Sequence, residues 1–248
     1  MKQLAILMLM AAGLGAAPGP GRQVSVAAAS NLTEVFREIG TRFEAATGIH
    51  PVFSFGATAQ LTQQLENGAP FDVIAAADTE HVDALDQKGL LAAGSKAVYA
   101  IGVLALWAPP GSHANITGIA DLAGHDVKVI AIAKPELAPY GLAAVQSLRK
   151  AGIWEKVQPR VVYGENINVV KQYGVSGNAD AVFTAYSLVM NKPGRVLRIG
   201  DEYHDPIAQA LGIVKESKNQ EAARAFTDFL LRGKGQEILA AYGYRAPR

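Results

Sequence analysis

Val24-Ser25-Val26-Ala27-Ala28-Ala29-Ser30-Asn31-Leu32 passes from a strand of small apolar residues, through a hydroxyl and an amide, into a helix. Leu32, Val35, Phe36, Ile39 and Phe43 recur at helical spacing and make one apolar face. The junction is where chemistry can occur. A helix start leaves backbone N–H groups unpaired and carries partial positive charge, so a hydroxyl beside it completes a cradle suited to an anion. Three further junctions share the pattern of strand end, small or polar loop and helix start. They are Gly56-Ala57-Thr58-Ala59, Ala138-Pro139-Tyr140-Gly141 and Glu165-Asn166-Ile167-Asn168. None of the four contains Arg or Lys, which points to capture of a small oxyanion by neutral donors. Glu165 is unfavourable beside an anion and is expected to turn away.

Outward from these junctions, strand-like and helix-like patterns alternate, so the chain reads as α/β with mainly parallel strands. Candidate strands are 23–29, 51–55, 72–77, 98–107, 127–133, 160–163, 181–185, 195–199 and 207–214. Gly48, Gly68, Gly89 and Gly152 stand where helices would stop. The apolar runs 96–109 and 206–214 are long enough to pass from one sheet into another. Two such crossings predict a two-lobed fold, each lobe a mixed, mainly parallel sheet flanked by helices. Lobe 1 is 23–101 plus 207–248, and lobe 2 is 102–206. Ligands of open α/β sheets lie beyond the carboxyl ends of strands, so a cleft between the lobes could gather all four junctions. The competing readings are one large sheet, and Ser30, Asn31, Thr58 and Asn166 as mere helix caps.

Residues 1–22 read as a secretory signal and spacer. Lys2 precedes an apolar stretch from Leu4 to about Ala12, shorter than the ~20 residues a membrane span needs, and Pro18-Gly19-Pro20-Gly21 follows. The expected location is the periplasm. The absence of cysteine excludes disulfides, thiolate metal sites and a cysteine nucleophile. A net charge of +1 with interspersed signs gives no basic patch for nucleic acid. The five histidines lack metal-ligand spacing, and no nucleophile elbow, zincin or Walker motif is present. No cofactor or metal is expected. Because the candidate groups donate without an obligatory acceptor, they favour a fully deprotonated dianion such as molybdate, tungstate or sulfate over hydrogen phosphate.

The quoted residues, together with Gly68-Ala69-Pro70-Phe71-Asp72, Ala76-Ala77-Asp78 and Tyr242-Gly243-Tyr244, resemble the periplasmic molybdate-binding proteins of molybdate ABC importers. The resemblance implies the type II periplasmic binding protein fold, hinging on two crossing strands. It implies Ser30 and Thr58 as first-lobe hydroxyl ligands, and Tyr140 and the N–H of Ile167 as second-lobe contacts. Asn31 is similar to an asparagine that binds through its amide in one branch. Thr58 stands where serine is usual. Thr184 stands where some members place a tyrosine ligand, with Tyr186 two residues on, so the resemblance implies that Tyr140, where those members have a small residue, supplies the phenol instead. The implied function is a monomeric, non-enzymatic receptor that delivers molybdate, and also tungstate, to an inner-membrane permease. The alternatives are a receptor for sulfate or another tetrahedral oxyanion, and a secreted hydrolase with Ser30 as nucleophile.

Overall fold

The computed structural model describes residues 22–247; the leader expected at 1–22 lies almost wholly outside them. β1 (Gln23–Ala29) is small and apolar because it is an interior strand. It pairs in parallel with β2 (His50–Gly56) on one side and β3 (Val73–Ala75) on the other. β10 (Ile207–Ile213) continues this sheet antiparallel to β3 and to β4 (Ala97–Gly102), giving the order β2-β1-β3-β10-β4. A second five-stranded sheet has the order β7-β6-β8-β5-β9. Its strands are β5 (Leu104–Ala108), β6 (Ile130–Ala133), β7 (Val161–Gly164), β8 (Ala181–Ala185) and β9 (Arg195–Arg198). There β6 runs parallel to β7 and β8, while β5 is antiparallel to β8 and β9. The single-sheet reading is excluded.

The two sheets share a plan of three parallel strands followed by one reversed strand that arrives from the other sheet. The expected strand 98–107 is two strands, split at Val103, where the chain passes from the first sheet to the second. It returns through the turn-rich segment 199–206 into β10.

Helices cover the faces: α1 (Thr33–Thr47), α2 (Thr58–Glu66), α3 (Glu80–Gln87), α4 (Pro139–Lys150), α5 (Trp154–Val157), α6 (Ile167–Val175), α7 (Tyr186–Val189), α8 (Gln220–Leu231) and α9 (Lys234–Ala241). The start of α4 approaches β6 so closely that a Cβ on Gly141 would overlap the Ala133 carbonyl. Only glycine allows that approach. Between α1, β2 and α8 lies an aromatic cluster in which Phe226 meets Phe36, Phe43 and Phe53 at centroid distances of 5.9, 5.3 and 5.9 Å. Asp72 is buried just before β3, where it accepts from the Ser25 N–H at 2.7 Å, Ser217 Oγ at 2.6 Å and Asn219 Nδ2. It thereby fastens β1 to the segment leading into α8. Among the described residues no helix is long and apolar enough to cross a membrane.

Candidate functional site

The four junctions converge. Ser30, Asn31, Thr58, Tyr140 and Ile167 line one cavity between the two sheets, together with small residues such as Ala29, Gly56 and Ala138. No charged side chain lines it. The cavity is tight, about 10 Å³ for the centre of a water-sized sphere. Larger hollows exist elsewhere. The adjoining groove of about 380 Å³ is lined by Asp78, Glu80, Glu136 and Asp205, four carboxylates that would repel an anion.

The two hydroxyls differ in what holds them. Thr58 opens α2, yet neither it nor Ser30 caps its helix, so the capping account fails at both. Thr58 Oγ1 accepts from the Ala77 N–H at 3.1 Å, which leaves its own proton to donate into the cavity. At Ser30 the hydrogen bonds fall on the carbonyl, which accepts from Thr33 Oγ1 at 2.8 Å and Asn168 Nδ2 at 3.0 Å. Its hydroxyl is left to the cavity. Asn166 does cap: its Oδ1 accepts from the N–H groups of Asn168 and Val169 at 3.0 and 3.2 Å. The N–H of Ile167, at the first position of α6, is not engaged by that cap. Glu165 is exposed and does not line the cavity, as the sequence led us to expect.

Tyr140 is buried, and its oxygen accepts from Gln209 Nε2 at 2.9 Å. Burial pushes the phenols of Tyr99 and Tyr140 well above the usual tyrosine range and that of Tyr244 up to about 12. All three therefore remain protonated donors at neutral pH.

One expectation needs correction, and the structure bears on two readings that the sequence left open. The Asn31 side chain is occupied within the protein, its Nδ2 donating to Gln209 Oε1 at 2.8 Å and to Tyr244 OH at 2.9 Å. What Asn31 can offer a ligand is its backbone N–H. Neither Thr184 nor Tyr186 lines the cavity. Thr184 is fully buried on β8 opposite Ala105, and the Tyr186 ring lies under the Arg198 guanidinium at 4.1 Å. A Ser30 hydrolase lacks its base, because no histidine lines the cavity. His81 lies in the acidic groove with Nδ1 2.7 Å from Asp78 Oδ2, a hydrogen bond that raises its pKa.

Sequence reasoning missed the contacts that close the cavity. Asn168 Nδ2 also donates to Thr33 Oγ1 at 2.6 Å, Lys171 pairs with Glu34 at 3.0 Å, and the Ala59 N–H donates to the Leu137 carbonyl at 3.2 Å. Each joins an element of one sheet's lobe to an element of the other's. Gln209 was also missed, although a lone polar residue in the apolar run Ile207-Ala208-Gln209-Ala210-Leu211 was a visible signal. Convergent neutral donors, with no base and, among the described residues, no metal cluster, suit reversible binding of an anion.

The chain matches the family model of bacterial extracellular solute-binding proteins over residues 24–245. It is 36% identical over 244 residues to the molybdate-binding protein of Azotobacter vinelandii, covering 96% of each chain. It is 34% identical over 241 residues to that of Rhodobacter capsulatus, covering 97% of this chain and 94% of the relative. The solved Azotobacter vinelandii periplasmic molybdate-binding protein superposes with a TM-score of 0.86 at 32% identity, covering 91% of this chain and 100% of the other. The sulfate-binding protein of Mycobacterium tuberculosis, at 17% identity and a TM-score of 0.76 over 91% of this chain and 87% of the other, shares the fold alone. With two lobes, a cavity of uncharged donors between them and these relatives, the chain belongs to the bacterial extracellular solute-binding protein family, alongside the periplasmic molybdate-binding proteins.

Proposed function

We propose that this chain captures molybdate, and tungstate with it, in the interlobe cavity and delivers it to the permease of an ABC importer. It works as a monomer in the periplasm after loss of the leader at 1–22. The observation that carries the reading is a cavity lined by donors and by no charged side chain. A tetrahedral dianion presents acceptors only, so every donor can be used, whereas hydrogen phosphate brings a proton that finds no dedicated acceptor. Molybdate is favoured over sulfate by the relatives at 36% and 34% identity. The ligands are the hydroxyls of Ser30, Thr58 and Tyr140 and the backbone N–H groups of Asn31 and Ile167.

Segments 23–101 plus 207–248 and 102–206 act as two bodies that hinge at the crossings, since only the closed form presents donors from both to one anion. Calorimetric titration should find one site for molybdate and tungstate, with sulfate and phosphate at least about a hundredfold weaker, roughly 2.7 kcal/mol. Small-angle scattering should show the radius of gyration falling on addition of molybdate. Equal affinity for sulfate would overturn the choice of ligand, and an unchanged radius would overturn the hinge. Tyr140→Phe deletes only the hydroxyl and should weaken molybdate binding by about 1.5–3 kcal/mol. Binding as tight as that of the original chain would make the phenol a packing group.

A further inference from the structure

Gln209 is fully buried on β10, and it does not line the cavity. The pairing of β10 with β4 slips between Gln209 and Ala210, an irregularity of the kind that re-aims a side chain. The amide is held from both ends. Its Oε1 accepts from Asn31 Nδ2 at 2.8 Å and lies 2.8 Å from Tyr99 OH, whose single proton it shares with the Ala76 carbonyl at 2.9 Å, and its Nε2 donates to the Tyr140 oxygen at 2.9 Å. Asn31 places its second amide proton on Tyr244 OH. The chain of bonds therefore has a direction. A phenol that accepts from an amide N–H keeps its own proton for another partner, and Tyr140 lines the cavity. Gly102 lies against this bond, where a Cβ would overlap both the phenol oxygen and Gln209 Nε2, one residue before the chain crosses to the second sheet. The absent side chain is what admits the contact.

We propose that Gln209 is a positioning residue which sets the polarity of the site: by donating to Tyr140 it turns the phenol proton toward the anion, and so excludes anions that carry a proton themselves. This rests on the oxyanion-receptor reading above. A leucine at 209 would remove the donor, whereas a glutamate would reverse it, because an ionised carboxylate accepts the phenol proton and leaves a lone pair facing the cavity.

The test is a set of calorimetric titrations with molybdate, sulfate and phosphate on the full chain, on Gln209→Leu, Gln209→Glu and Tyr140→Phe, and on Tyr140→Phe combined with Gln209→Leu. Gln209→Leu is expected to weaken molybdate at least about tenfold in the original background and less than about twofold once the Tyr140 hydroxyl is gone. Gln209→Glu is expected to lower the ratio of molybdate to phosphate affinity at least about tenfold. Thermal melts report whether each variant is folded, and Gln209→Glu, nearly isosteric, carries the test if Gln209→Leu is not. Equal losses in both backgrounds, or an unchanged molybdate-to-phosphate ratio in Gln209→Glu, would overturn the proposal and leave Gln209 a packing residue. If the original chain takes sulfate in place of molybdate, the ligand reading fails, and the same cycle run on sulfate still decides the role of Gln209. If it takes none of these anions, both fall.

Discussion

Ser30→Ala combined with Thr58→Ala should weaken molybdate binding by about 3–6 kcal/mol, since each lost hydrogen bond to a charged group contributes roughly 1.5–3 kcal/mol. Both hydroxyls line the cavity, and neither caps its helix, so their removal falls on the ligand rather than on helix stability. The two single changes differ in one respect. Ser30→Ala should leave unfolding nearly unchanged. Thr58→Ala strips the Ala77 N–H of its acceptor, and a buried donor left unpaired costs about 1–3 kcal/mol of stability. Calorimetric titration of the single and double variants, with a melt of each, separates these effects. A double variant that binds molybdate as the original chain does would remove both hydroxyls from the ligand set.

Phe226→Ala should destabilise the fold by about 3–5 kcal/mol, the range for deleting a buried aromatic ring. Phe226 is fully buried and stands edge-on to Phe36 and Phe43, with interplanar angles of 75° and 88°. Its removal opens a void bounded by α1, β2 and α8. Those elements are held elsewhere by the sheet and by Asp72, so they cannot close over the gap. Denaturant unfolding would measure the loss. The ring does not touch the cavity, so saturating molybdate should stabilise variant and original chain by equal amounts. A loss under about 1 kcal/mol would mean the cluster repacks freely.

What the sequence reveals here is local. β8 has the bounds its apolar run suggested, and the Ser30, Thr58, Tyr140 and Ile167 junctions are readable because a strand end and a helix start lie within a few residues of each other. Gly48, Gly68, Gly89 and Gly152 all have positive φ, as their positions after apolar periodicities implied. The break at Val103 is invisible because Gly102-Val103-Leu104 is as apolar as its flanks, and burial in either sheet selects the same residue types. Asn31 was misread for a different reason. Its partners Gln209 and Tyr244 lie 178 and 213 residues away, and no periodicity reports a pairing at that separation. Residue type announces that an amide can donate, but only the fold decides which acceptor receives it.

Asn168 and Lys171 sit one turn apart on α6 and grip the start of α1, through the Ser30 carbonyl, Thr33 Oγ1 and Glu34. They act on shape rather than on the anion. An apparent dissociation constant is the intrinsic one divided by the fraction of molecules already in the competent shape. If the lobes hinge as proposed, each 1.4 kcal/mol that this grip adds to the closed form tightens capture about tenfold, until closure is complete and the gain stops. On the proposed hinge the same grip is undone before the cargo leaves, so scavenging strength and unloading speed would pull against each other at these two side chains. The dial between them can be turned without changing any group that meets the oxyanion.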